Sequence, residues 1–270
     1  MIENQRLIEL MDEVRKRKPL LHVITNRVAI NDSANGALAV GASPIMAEAH
    51  EEVAEIAAIS GALELNIGNL TPYSIESMRL SGRAANKAGV PIVLDPVGAG
   101  ATDFRLQTVQ KLLEELDVAI IRGNAGEIAA LAGENWAAKG VDAGDGNGDV
   151  TEMANRVALS WNTVVAVSGA VDTITDGRRT YHVKNGHPLF PYMTGSGCLN
   201  GVIQAAYAAV TSNALEASFA ASTIYALAGQ LAGEKCAGPG SFRQHLMDEL
   251  YLMNEEKIQR YAAVEDVTGL

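Results

Sequence analysis

The chain has 270 residues, 48% of them hydrophobic and 20% charged, with a formal net charge of −11 at neutral pH. That is ample apolar material for a full core, and the negative balance argues against sequence-independent binding to nucleic acid or to an anionic membrane. The opening Met1-Ile2-Glu3-Asn4-Gln5-Arg6 has no apolar signal core, no apolar run reaches membrane-spanning length, and Cys198 and Cys236 match no zinc spacing, so free thiols in a reducing cytosol are expected.

Leu7, Ile8, Leu10, Met11 and Val14 recur at helical spacing and run into Arg15-Lys16-Arg17-Lys18, cations suited to a helix C-terminus, with Pro19 closing it. Leu20 to Ile24 follows as a buried strand, with His22 expected as a hydrogen-bonded core residue, and stops at Thr25-Asn26. Asn31 to Val40 reads as a helix. Ala62 to Ile67 reads as a strand ending at Gly68-Asn69. Pro72 stands at a first helical position, and its helix runs to Ala88 and Gly89. Val90 to Leu94 is a strand ending at Asp95-Pro96, and a helix follows from Asp103 to Leu116. Val118 to Ile121 is a strand ending at Arg122-Gly123-Asn124, and the next helix carries Glu127, Ile128 and Leu131. Gly140 to Gly148, rich in glycine and aspartate, is expected as a surface loop. A helix through Met153 and Val157 to Trp161 precedes a strand from Thr163 to Val167, which ends at Ser168-Gly169. Asp176-Gly177 between two β-rich runs signals a hairpin. After it come Met193-Thr194-Gly195-Ser196-Gly197-Cys198 and an alanine-rich helix, and then only helices, from 214 to 231 and from 242 to 260.

Strand–helix alternation at this pace implies right-handed crossovers and a mostly parallel sheet with helices on both faces. The strands' unbroken apolar runs fit burial on both sides. The expected architecture is a three-layer α/β fold in one domain over residues 1–270, with an antiparallel element at one sheet edge.

In open parallel sheets, ligands bind beyond the carboxyl ends of the strands. The residues there are Asn26, Asn66-Ile67-Gly68, Asp95, Arg122-Gly123-Asn124 and Ser168-Gly169. Asp95 and Glu127 suit Mg²⁺, which takes a few carboxylates and keeps waters. Arg122 offers a planar fork to a phosphate, and Ser168 a hydrogen bond to a nucleotide phosphate. Gly195, Ser196, Gly197 and Cys198 open a helix whose first amides and partial positive charge favour an anion. Phosphoryl transfer needs positioning, charge neutralisation and a group that orients the nucleophile, and this set contains all three. Each residue also has a plainer reading: a turn former in Asp95, an ion pair in Arg122, a first-turn acid in Glu127, a packed thiol in Cys198. No Walker A sequence is present, and no Gly-x-Gly-x-x-Gly follows the first strand.

As a set, Thr25-Asn26, Pro44-Ile45-Met46, Asn66 to Leu70, Leu94 to Ala99, Arg122 to Glu127, Ser168 to Asp172 and Gly195 to Cys198 resemble the hydroxyethylthiazole kinase family of the ribokinase-like superfamily, over residues 20 to 235. Asn124 to Glu127 resembles that superfamily's Asn-x-x-Glu metal motif. The resemblance implies phosphorylation of 4-methyl-5-(2-hydroxyethyl)thiazole by MgATP in thiamine biosynthesis or salvage. It places Met46 and Gly195 on the thiazole side and Arg122 and Ser168 on the ATP side; the strand-end residues Asn26 and Gly68 are expected to line the substrate pocket, with Asn26 reaching the ATP as well. It implies a cytoplasmic homotrimer with sites near the subunit interface. Where the family often has threonine, this chain has Ser168 and Ser196. Cys198 stands where relatives carry a catalytic aspartate or cysteine, and its helix-start position predicts a lowered pKa. The alternative within the superfamily is a kinase of another small alcohol or vitamin precursor.

Overall fold

The computed structural model describes residues 2, 4–134, 137–139, 142–145 and 149–269. The strands are β1 (Leu20–Ile24), β2 (Ser43–Ile45), β3 (Ala62–Asn66), β4 (Ile92–Asp95), β5 (Ile120–Asn124), β6 (Ala137–Lys139), β7 (Asp142–Asp145), β8 (Val164–Ser168), β9 (Asp172–Thr175), β10 (Thr180–Val183) and β11 (Val264–Asp266). Nine of them form one sheet in the order β11-β10-β9-β8-β5-β4-β3-β1-β2. From β2 to β8 every pairing is parallel, and from β8 to β11 every pairing is antiparallel.

Helices cover both faces. One apolar cluster packs under α1 (Asn4–Arg17), α2 (Ile30–Val40), α8 (Ser196–Ala208), α9 (Ala214–Gly233), α10 (Pro239–Tyr251) and α11 (Glu255–Tyr261). The other packs under α3 (Val53–Ile59), α4 (Pro72–Ala88), α5 (Asp103–Glu115), α6 (Ala125–Leu131) and α7 (Val150–Trp161). Strand residues alternate between the clusters: Val93 and Ile120 face the first, Leu94 and Ile121 the second. The strands in the middle of the sheet thus bury apolar residues on both sides, as their sequences predict, with polar residues entering toward the carboxyl ends. The three-layer expectation holds.

The local chemistry behind the main elements is direct. In α1, Leu7, Leu10, Met11 and Val14 are buried on one stripe. Thr71 caps α4 with Ser74 in a capping box, Pro72 starts the helix, and Gly89 ends it at φ 72°. Gly177 turns the β9–β10 hairpin at φ 79°.

Three expectations need correction, and two elements had no expectation. The helix proposed over 242–260 is two helices, because the Asn254 side chain accepts the Lys257 amide at 2.9 Å and starts α11 afresh. The chain does not end in helices alone, since β11 pairs with β10; a three-residue Val-Glu-Asp strand carries too little pattern to be read in advance. Strand β2 was hidden by Pro44, which an edge strand tolerates because one side of its backbone needs no partner. Helix α3, seven residues long, went unread with it. Part of the proposed loop at 140–148, residues 142–145, is a strand paired antiparallel with 137–139, and 140, 141 and 146–148 lie outside the described residues.

Candidate active site

The two-residue period of the strands builds the floor of the site. Val93, Ile120, Val164 and Ala166 point to the α8 side of the sheet, so Asp95, Arg122 and Ser168, an even number of residues further on, point there as well. Glu64 and Asn66 follow Ala62 on the same face. The apolar floor therefore turns polar at the carboxyl ends of β3, β4, β5 and β8, and there α8 begins. Gly195 precedes it at φ 81°, a left-handed conformation that side chains rarely adopt. A Cβ on Gly197 would fall 2.6 Å from Arg122 Nη1, and one on Gly201 would fall 3.0 Å from Glu64 Oε1. Helix α8 thus lies with its backbone directly on the polar floor.

A chain of hydrogen bonds, joined at one point by an ion pair, crosses that floor. Asn26 Nδ2 donates to Cys198 Sγ at 3.1 Å and to Asn66 Oδ1 at 3.0 Å. Asn66 Nδ2 donates to Asp95 Oδ2 at 2.8 Å. The same Asp95 oxygen is 3.9 Å from Arg122 Nη1, and Arg122 Nη2 donates to Ser168 Oγ at 2.7 Å. Asn26 is itself fixed by the turn it sits in, where its Oδ1 accepts the Val28 and Ala29 amides at 3.1 and 3.0 Å. Gly68 packs on Asn26, and a Cβ there would sit 2.7 Å from Asn26 Nδ2. The Arg105 guanidinium pins the surrounding loops by donating to the carbonyls of Ile67, Gly68 and Val97 at 2.9, 3.0 and 2.7 Å.

Glu127 stands at the start of α6 and ties two strand ends together. Its Oε1 accepts the Gly98 amide at 2.8 Å and its Oε2 the Asn124 amide at 2.7 Å, while Asn124 Oδ1 caps Glu127 N at 2.9 Å. Burial, with the Asp95 charge adding to it, pushes the Glu127 carboxyl up to about 7, against the pull of those two amides. Burial pushes Asp95 up to about 6, against the Arg122 charge and the Asn66 hydrogen bond. Glu64, fully buried beneath them, is held well above the usual carboxylate range by burial and by Asp95. Among the described residues, no cluster of three His, Cys, Asp or Glu side chains is arranged to hold a metal. Asp95 and Glu127 nevertheless suit Mg²⁺. Asp95 Oδ1 is buried with no hydrogen-bond partner, each Glu127 oxygen keeps a lone pair beyond its one amide, and Mg²⁺ completes its shell with water and phosphate oxygens.

The lowered pKa expected for Cys198 is not found. The thiol is 8% exposed, and burial, with the nearby Asp95 and Glu64 carboxylates, pushes it up to about 12 despite the hydrogen bonds from Asn66 and Asn26. Desolvation and two like charges outweigh the helix start. Ser196 does not turn its hydroxyl outward either; Oγ donates to the Phe190 carbonyl at 3.0 Å.

Asn26, Gly68, Asp95, Arg122, Ser168, Gly195, Gly197 and Cys198 are therefore brought to one end of the sheet, with Glu127 one helix start away. Met46 directly follows β2 at the same carboxyl end and packs, partly buried, on the apolar core. Three participants had no assigned role in the sequence reading: Glu64, Arg105 and Tyr225, whose hydroxyl donates to the Ser196 carbonyl at 2.6 Å. A glutamate inside the apolar Ala62-Leu63-Glu64-Leu65 run was the available signal for the first. Arg105 and Tyr225 sit on ordinary helices and gave none.

A profile of the Hydroxyethylthiazole kinase family matches residues 11–256. A curated hydroxyethylthiazole kinase of Listeria monocytogenes serotype 4a (strain HCC23) is 50% identical over 258 residues, 95% of this chain and 96% of that one. A solved structure of the hydroxyethylthiazole kinase protein from Pyrococcus horikoshii OT3 is 42% identical, with a TM-score of 0.90 over 97% of this chain and 99% of that chain. At 11% identity, a ribokinase-like superfamily protein from Enterococcus faecalis V583 shares the fold, with a TM-score of 0.68 over 94% of this chain and 96% of that chain.

Proposed function

The chain belongs to the hydroxyethylthiazole kinase family, and on that premise we propose that it transfers the γ-phosphoryl group of ATP to the hydroxyl of 4-methyl-5-(2-hydroxyethyl)thiazole, in thiamine biosynthesis or salvage. One observation carries the reading at the level of residues. The Arg122 guanidinium, 7% exposed and with Nε lacking a partner, lies under the first turn of α8 beside Cys198. A buried cation with an unused donor beneath helix-start amides is a place for a phosphate.

In this reading the amides of Gly195, Gly197 and Cys198 cradle the transferred group, while the Ser196 amide donates to the Met193 carbonyl at 3.1 Å and closes the turn into α8. Arg122 and Ser168 hold the nucleotide phosphates. Asn26, Met46, Gly68 and Gly195 hold the thiazole alcohol, with its hydroxyl beside Cys198. A thiol held near 12 is protonated at neutral pH, so Cys198 acts by orienting the alcohol rather than as a ready thiolate. Transfer through a loose transition state asks little of a base. Asp95 and Glu127 would hold Mg²⁺, which supplies charge neutralisation at the phosphates when bound. In the same reading residues 1–270 form one domain, supported by two apolar clusters that line opposite faces of a single sheet. We place it in the cytoplasm as a homotrimer; no helix among the described residues is long and apolar enough to cross a membrane.

The test is product analysis. The protein is incubated with ATP, Mg²⁺ and a panel containing the thiazole alcohol, pyridoxal and ribose, and products are identified by mass spectrometry. Phosphorylation of the thiazole alcohol at least tenfold faster than the others is expected. Preference for another alcohol would sink the substrate assignment but leave the kinase; no transfer to any of them would sink both. Sedimentation at micromolar concentration decides the trimer.

A further inference from the structure

Helix α9 brings Tyr225 against the back of the first turn of α8. The tyrosine is 5% exposed, and its hydroxyl donates to the Ser196 carbonyl at 2.6 Å. Its ring is held by Phe190, with centroids 5.1 Å apart, and Phe190 in turn meets Phe242 edge-on at 5.3 Å. Gly229, one turn along α9, makes room for this, since a Cβ there would fall 2.1 Å from Phe190 Cζ. The Phe190 carbonyl accepts the Ser196 hydroxyl at 3.0 Å. The Ser196 hydroxyl and carbonyl are therefore tied to the aromatic cluster and its N–H to the Met193 carbonyl, none of them to the open end of the site.

The consequence lies in the next amide. The Ser196 carbonyl and the Gly197 N–H belong to one rigid peptide plane. A hydrogen bond at the oxygen fixes the tilt of that plane and polarises the N–H, which strengthens the bond it donates by about 10–30% in condensed phase. That N–H points out of the helix start, and the Gly197 α-carbon rests on Arg122. We propose that Tyr225 is a positioning residue, which sets and strengthens the Gly197 amide for the transferred phosphoryl group. The inference rests on the phosphoryl-transfer reading of the site.

The test is Tyr225→Phe, which removes one hydroxyl and keeps the ring. Steady-state kinetics with ATP and the thiazole alcohol, inorganic phosphate binding by phosphorus NMR and melting temperature are measured beside the unaltered protein. kcat is expected to fall about fivefold to tenfold, a fraction of the 10²–10³ that loss of a whole anion-hole donor costs. Phosphate binding is expected to weaken severalfold, and KM for the alcohol to stay within about twofold, because a group acting on charge that develops in transfer changes kcat first. A purely structural hydroxyl would lower the melting temperature alone; unchanged kcat and phosphate affinity overturn the proposal. Should Tyr225→Phe not fold, 3-fluorotyrosine at position 225 keeps the contact with a more acidic hydroxyl. Tighter phosphate binding then supports the proposal, and no change overturns it. An unaltered protein that leaves the thiazole untouched brings down the functional reading, and phosphate affinity alone then decides for or against Tyr225.

Discussion

Cys198 Sγ accepts a hydrogen bond from Asn26 Nδ2 at 3.1 Å, and the same amide also holds Asn66 Oδ1. The sulfur is thereby aimed, and because burial and the neighbouring carboxylates keep the thiol protonated, its work is orientation. Cys198→Ala should lower kcat by about tenfold to hundredfold, at or below the low end of general acid–base contributions, with ATP affinity and melting temperature little changed. Cys198→Asp should retain more activity than Cys198→Ala. An alanine variant at full turnover ends any catalytic part for the thiol.

Asp95 and Glu127 make separate predictions. Asp95 has a buried oxygen without a partner, whereas both Glu127 oxygens already hold backbone amides. Asp95→Asn should raise the Mg²⁺ concentration needed for half-maximal activity by about tenfold or more, since a carboxylate is the stronger ligand for a hard cation. Glu127→Gln should do so less and should lose stability as well, because the Gly98 and Asn124 amides lose a charged acceptor, each such bond being worth about 1.5–3 kcal/mol. A Mg²⁺ titration and a melting curve on each variant check this; unchanged Mg²⁺ dependence in both removes the metal role.

The raised carboxyls fix the sign of a pH effect. Asp95 and Glu127 titrate near 6 and 7 in the folded protein, above about 4 in the unfolded chain. The folded state therefore holds more protons between those limits, and stability is lost as pH rises through them. His22 works against this trend, since burial lowers its pKa and its share of stability is lost as pH falls through the unfolded value. Comparison with Asp95→Asn cancels His22. Without Mg²⁺, that variant should gain stability relative to the unaltered protein on going from pH 5 to pH 8. A constant difference in melting temperature would show that Asp95 does not titrate there.

Arg105 joins the ends of β3 and β4 through three carbonyls. Arg105→Ala should cost about 2–4 kcal/mol in urea unfolding, from hydrogen bonds to a charged group partly replaced by water. It should also raise KM for the thiazole alcohol, because the Gly68 loop packs on Asn26. Arg105→Lys restores charge without the fork and should recover less than half of the loss. Loss of stability with unchanged KM would confine Arg105 to the scaffold.

The strand exits were readable in advance because the strands are apolar without interruption, so each polar residue that follows marks an end. Asn26, Asp95, Arg122 and Ser168 were found in that way. The rest was illegible for separate reasons. Pro44 disguised β2, and Val264–Asp266 is too short and too charged to announce a strand. Cys198 was misjudged in its acidity because a helix start is visible in sequence, whereas the Asp95 and Glu64 charges beside it arise only from sheet register. Tyr225 acts on Ser196 from 29 positions away in the chain, a separation that no local pattern encodes.

The two borders of the sheet bear on how this protein survives crowding. A sheet of nine strands built mostly from crossovers depends on contacts distant in sequence, and such sheets form slowly. Until the helices dock, each border strand is a template for a neighbouring chain. Here one border is three residues long with Pro44 at its centre, which has no N–H to offer. The other is three residues long and exposes Glu265, paired with Lys184 at 2.8 Å. Neither border presents a long flat row of donors and acceptors, so a half-folded molecule offers its siblings little to extend. Replacing Pro44 with valine would leave the finished fold nearly unchanged and open that border during synthesis, a burden that falls on yield from the ribosome and not on turnover.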